Sequence, residues 1–161
     1  MINKKDNEDF NMLFFEFLGT DPLKESDKGL IITGAAFVEE LLKQLLERRL
    51  IGGKKSIGKL RFQQLIDLGY SVGAISRKLR DDLDIIRKIR NNAAHYSKNK
   101  VNFKKVRELN FTQTALKNKM LEDNDKNCKK IYIFVISFLL GRLNVKINKI
   151  NKTECLGTLG E

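Results

Sequence analysis

Apolar residues recur at intervals of three and four along most of this chain, and no stretch of any length alternates with the period of two that marks a strand. Five helical stretches are predicted. Phe10, Phe14 and Phe17 or Leu18 mark the first, near residues 9–18, which Gly19-Thr20-Asp21-Pro22 breaks. The second is the clearest. Ser26 or Asp27 can cap it, and Ile31, Ala35, Val38, Leu42 and Leu45 follow at helical spacing. A neighbouring row of Leu30, Gly34, Phe37 and Leu41 widens the face, and Gly34, Ala35 and Ala36 would let another helix approach closely. This helix is expected to end near Gly52-Gly53.

A third, short helix is expected over about residues 60–70, stopping at Gly69 and Gly73, and a fourth over about 76–96. The fifth, about 127–143, is the most apolar and is expected to pack against the second. Between the fourth and fifth, residues 97–119 read as basic and irregular, with a short helix near 103–109. Beyond Asn144 the chain turns polar and reads as a flexible basic tail. The expected fold is therefore all-α, a single helical bundle of four to six helices. It forms one domain over residues 1–161, with its core at about 9–143.

One position breaks the pattern. On the fourth helix Leu79, Leu83, Ile86 and Ala93 form a single apolar stripe, and Arg90 falls in the middle of it. An arginine does not deprotonate, so burying it unpaired is very costly. It is expected to meet a carboxylate (those of Glu39 and Glu40 are candidates), backbone carbonyls, a ligand or a subunit interface.

Composition narrows the class. The chain has 161 residues, 42% of them hydrophobic and 32% charged, which suits a soluble globular domain and not a disordered one. The apolar run from Ile131 to Leu140 falls short of the roughly 20 residues of a membrane span and reads as a buried helix. The N-terminus has no signal-peptide pattern, and the two cysteines, Cys128 and Cys155, form no CxxC pair. A cytosolic location with reduced thiols is expected. The net charge of +11 is uneven: residues 1–27 hold 3 basic and 7 acidic residues, whereas residues 98–153 hold 14 basic and 4 acidic. Such an excess favours polyanions, and Arg87, Lys98, Lys100, Lys104 and Lys105 are candidate contacts. It is also what a lysine-rich solvated face looks like. Gly52-Gly53-Lys54-Lys55 lacks the spacing of a phosphate-binding loop and reads as a plain connection.

The candidate chemistry lies at the end of the fourth helix. His95 is the only histidine in the chain, and so the only side chain whose ordinary pKa suits proton transfer near neutrality. Asn91 stands four residues before it, on the same helix face, and Arg90 offers a fork of donors for phosphate or carboxylate. Arg90, Asn91 and His95 could together cleave RNA without a metal, the histidine moving the proton and the arginine stabilising the phosphorane. One histidine is not readily both acid and base, so a two-fold dimer would supply the second. The same residues could equally tie a helix end to neighbouring carboxylates, with His95 placed favourably at a C-terminus. One histidine and two distant cysteines do not form a recognisable metal site, and neither metal nor cofactor is expected.

Arg90 to His95 reads RNxxxH and resembles the motif of the HEPN superfamily. That resemblance implies a helical domain that dimerises around a cleft, in many members a metal-independent endoribonuclease. A wider stretch, about residues 20–112, is similar to the mannitol operon repressor family. It rests on Glu25-Ser26-Asp27-Lys28-Gly29, Ala35-Ala36-Phe37-Val38-Glu39-Glu40, Ile66-Asp67-Leu68-Gly69-Tyr70, Gly73-Ala74-Ile75-Ser76 and the run from Asp82 to Asn91. Ala93 stands where that family tends to carry an aromatic residue. The resemblance implies a bacterial regulatory protein. No helix-turn-helix with a convincing recognition helix is present, so a homodimer acting on a protein or RNA partner fits better than an operator-binding repressor. The alternatives are a HEPN-type ribonuclease of a toxin or phage-defence system, using Arg90 and His95, and an immunity or antitoxin protein that binds a partner directly.

Overall fold

A computed structural model describes residue 21 and residues 23–50, 57–95, 103–118 and 128–157. The helix expected near residues 9–18, the Gly52-Gly53-Lys54-Lys55 connection, Lys98, Lys100 and residues 158–161 lie outside them. The described residues form five α-helices, α1 (Asp27–Arg49), α2 (Phe62–Ser71), α3 (Arg77–His95), α4 (Asn110–Lys117) and α5 (Cys128–Gly157), with a 3-10 helix at Phe103–Glu108 and no strand. This is the all-α bundle that the periodicity predicts.

Helix α1 starts where Ser26 turns from extended backbone and accepts a hydrogen bond on its hydroxyl from the Gly29 amide at 3.0 Å. Its Leu30, Ile31, Gly34, Ala35, Val38, Leu42, Leu45 and Leu46 are buried, whereas Ala36, expected at a close approach, faces solvent. Among the described elements the most extensive packing is between α1 and α5. The Lys129 ammonium donates to the carbonyls of Glu25 (2.6 Å) and Leu23 (3.2 Å) and pairs with Asp27 at 3.3 Å. Further along, the buried Tyr132 hydroxyl donates to the Ile31 carbonyl at 3.1 Å, and Gly34 faces Tyr132 and Ile136. Residue numbers rise together on both helices, so α1 and α5 run parallel. A parallel pair needs a long return connection, and α2, α3 and α4 provide it.

Helices α2 and α3 form a hairpin. Gly73 turns with φ +65°, a left-handed backbone that side chains rarely adopt, and this lets the amides of Ala74 and Ile75 return to the Gly69 carbonyl at 2.9 and 3.1 Å. On α3 the buried set is Leu79, Asp82, Leu83, Ile86, Ile89 and Ala93.

Two expectations are corrected. Residues 110–117, read as irregular, are the helix α4. Its N-cap, Leu109, has no capping side chain. Buried Asp82 instead accepts hydrogen bonds from the Asn110 amide at 2.6 Å and the Asn110 side chain at 3.1 Å. The Phe111 ring stacks on Phe138 of α5 at 3.7 Å. The second correction concerns α5, which does not end near residue 143 but runs to Gly157, with Leu143 and Ile147 buried. The apolar spacing continues through Leu140, Leu143, Ile147 and Ile150, so the polar residues between them form the outer face of a helix and not a tail. By length and composition Cys128–Ile150 is apolar enough to cross a membrane, unlike the shorter run judged by sequence, and 61% of its apolar window is covered by the rest of the fold. In this bundle it is the core helix.

Candidate functional site

Three helices build a cleft of about 400 Å³ around Arg90. Helix α1 contributes Glu39, the start of α2 contributes Phe62 and Gln63 with Arg61 just ahead, and α3 contributes Arg87, Arg90 and Asn91. The start of α2 is held in place because the Gln64 side chain accepts from the Arg61 amide at 2.8 Å, while Phe62 is sunk in the core.

Arg90 meets the carboxylate that its place in the apolar stripe demands. Its Nη2 lies 3.6 Å from Glu39 Oε2, an ion pair beyond hydrogen-bonding distance, and its Nη1 donates to Asn91 Oδ1 at 3.3 Å. Burial is milder than predicted. The Arg90 side chain is 37% exposed, because the deepest position in that turn belongs to Ile89, which is 2% exposed. The stripe is centred slightly to one side of Arg90, and the guanidinium leaves it over α1.

Partial burial pushes the Glu39 carboxyl above its usual value. Arg90 pulls it back, Glu40 raises it further, and Lys43 lowers it. Arg87 is committed within its own helix, donating to Asp84 Oδ1 through Nη2 at 2.7 Å and Nε at 3.0 Å, while Lys88 pairs with Asp84 Oδ2 at 2.7 Å. Burial alone would raise Asp84, but the hydrogen bonds from Lys88 and Arg87 outweigh it and leave the carboxyl below its usual range. With Arg61, three guanidinium groups stand among the described lining residues, but Asp84 holds Arg87 and Glu39 faces Arg90, so an anion entering the cleft would compete with both carboxylates.

Of the expected site residues, Arg87, Arg90 and Asn91 come together here. His95 does not line the cleft: it is exposed at the last position of α3, five residues and hence about 140° around the helix from Arg90. Lys105 lies exposed on the 3-10 helix and is not among the residues that line the cleft. Lys98, Lys100 and the Lys104 side chain lie outside the described residues. Glu39 was foreseeable, since a charge in an apolar stripe calls for a carboxylate on a neighbouring helix. Arg61 and Gln63 were not, because no periodicity links them to α3. Among the described residues no group of three or more His, Cys, Asp or Glu side chains could hold a metal ion.

No known protein family, curated protein or solved structure matches this chain. The described residues thus define the class, an all-helical bundle with an arginine-lined cleft between α1, α2 and α3.

Proposed function

We propose that this chain is a regulatory interaction module of the kind the mannitol operon repressor resemblance implies. It is cytosolic and homodimeric, and it acts through a protein or RNA partner, not through a DNA-recognition helix. Arg90 joins α3 to α1 through Glu39 and shapes the cleft, while His95 is a surface residue. The observation that supports this reading is the separation of the two groups: Arg90 is paired across the cleft and His95 lies outside it. Acid–base cleavage of RNA needs both at one phosphate.

The test is incubation of the purified chain with total RNA in EDTA, beside Arg90→Ala and His95→Ala. We expect no cleavage by any of the three, with a modest loss of thermal stability for Arg90→Ala. Metal-independent cleavage that vanishes in both variants would overturn the reading. It would establish the second one, a HEPN-type ribonuclease. That alternative is favoured by one observation, the three arginines and Asn91 around one cleft. It requires His95 to come from a second copy of the chain.

A further inference from the structure

A second cleft of about 400 Å³ lies where the end of α1 meets the later half of α5. Arg48, Arg49, Lys146 and Lys149 line it, over apolar groups of Leu45, Ala74 and Ile150, and none of the described lining residues is acidic. The parallel register of α1 and α5 creates this crowding, since it sets the last turn of one helix beside residues 146–149 of the other. Arg142, one turn earlier on α5, adds a further positive charge toward Lys146. Burial, Arg142, Arg49 and Lys149, in that order, hold the Lys146 ammonium below its usual value.

Two ordinary explanations do not suffice. The negative end of the α1 dipole accounts for Arg48 and Arg49 in its last turn. It does not account for Lys146 and Lys149, because α5 continues to Gly157 and neither lies at its end. Nor is Lys146 a freely solvated lysine, since it is partly buried among like charges. Cations gathered from two helices over an apolar floor suit an anion with a carbon skeleton, and the volume is that of a small-molecule site.

We propose that this cleft binds the phosphate of a phosphorylated ligand, the phosphate lying among Arg48, Arg49, Lys146 and Lys149 and the organic part on Leu45, Ala74 and Ile150. The site stands ten residues along α1 from Glu39, about 15 Å by helical rise, and rests on neither reading of the Arg90 cleft. A free phosphorylated molecule and a nucleic-acid backbone share this chemistry.

The experiment is a thermal-shift and calorimetric titration of the full chain with inorganic pyrophosphate, with chloride at matched ionic strength as the control. We expect saturable stabilisation beyond that of chloride. Lys146→Gln and Arg49→Gln should each weaken it by about tenfold or more while the helical circular dichroism is kept, and Lys130→Gln, which removes an exposed charge at the far end of α5, should leave it unchanged. Because Lys146→Gln relieves like-charge crowding, that variant should be at least as stable as the parent without ligand, so its loss of binding is not a loss of fold. Adenosine monophosphate and a single-stranded oligonucleotide then compete against pyrophosphate, and whichever displaces it identifies the source of the phosphate. An equal shift from chloride, or undiminished binding in both variants, would overturn the proposal.

Discussion

Two buried polar side chains set most of the local detail of this bundle. Tyr132 is fully buried, and burial pushes its phenol far above the ordinary range, so it remains a neutral donor to the Ile31 carbonyl. A Cβ added at Gly34 would come within 3.2 Å of that hydroxyl and 3.4 Å of Ile136. In the parent, Gly34→Ala therefore sets a helix-propensity gain of about 1 kcal/mol against crowding by a hydroxyl held in place. We expect it to be neutral or destabilising there. In a Tyr132→Phe background, which itself costs about 1 kcal/mol for the lost hydrogen bond, the same change should be clearly less unfavourable. Urea unfolding of the four proteins gives the coupling, and strict additivity would refute this contact.

Asp82 is the other such residue. Burial raises its carboxyl pKa, against the hydrogen bonds from Asn110 and Phe111 and the field of Arg142. A raised folded-state value means that this group's contribution is full below the unfolded pKa and is lost as pH rises through the folded one. Stability should therefore fall more steeply from acid toward neutral pH in the parent than in Asp82→Asn. Asp82→Ala, which leaves the start of α4 without its acceptor, should cost about 1–3 kcal/mol. Urea midpoints across that pH range separate the two effects, and parallel curves for parent and Asp82→Asn would count against the burial of a charge.

At the scale of elements, legibility tracked how each helix is stabilised. Helices α1 and α3 carry their instructions in their own apolar spacing, and their bounds lie close to those predicted. Helix α4 does not. Its eight residues include only Phe111, Ala115 and Leu116 as apolar positions, and its N-terminal acceptor comes from Asp82, 28 residues away in sequence. No local pattern records a cap supplied by another helix. The continuation of α5 past residue 143 was legible in principle, since Ile147 and Ile150 keep its spacing, but lysines and asparagines on the outer face conceal it. The Arg90 site was half legible: the stripe signalled that a carboxylate was needed, while the start of α2 entered the cleft only through the tertiary fold.

Helix α4 should accordingly be the least independent element. It leans on the Asp82 acceptor and on Phe111 stacked against Phe138. Phe111→Ala should speed amide exchange across residues 110–117 well before it affects the paired α1 and α5, whose contact is the largest among the described elements. Uniform loss of protection across all helices would show instead that α4 unfolds only with the whole bundle.

For the whole molecule, the parallel pairing of α1 and α5 produces two unlike ends. At the first, Lys129 closes the pair by joining the α5 start to the carbonyls of Leu23 and Glu25 and to Asp27, so opposite charges meet. At the other, Arg48, Arg49, Lys146 and Lys149 crowd one cleft within a chain of net charge +11. Salt weakens both contacts, but not equally in effect. The partly buried Lys129–Asp27 contact at the first end is a single ion pair, and the rest of the Lys129 hold comes from neutral carbonyls, whereas at the second end Arg142, Arg49 and Lys149 all act against the Lys146 charge. Added sodium chloride should therefore stabilise the parent. The depressed Lys146 ammonium adds a sign of its own: a folded-state pKa lowered from the unfolded one favours the fold above the unfolded pKa, and that contribution is lost as pH falls through the folded value. Near neutrality the charged lysine is thus a cost, and Lys146→Gln should both raise the melting temperature at low salt and flatten its rise with salt. Thermal melts of parent and variant over a salt series measure both slopes, and a parent that loses stability as salt is added would place the dominant electrostatics at the Lys129 end instead.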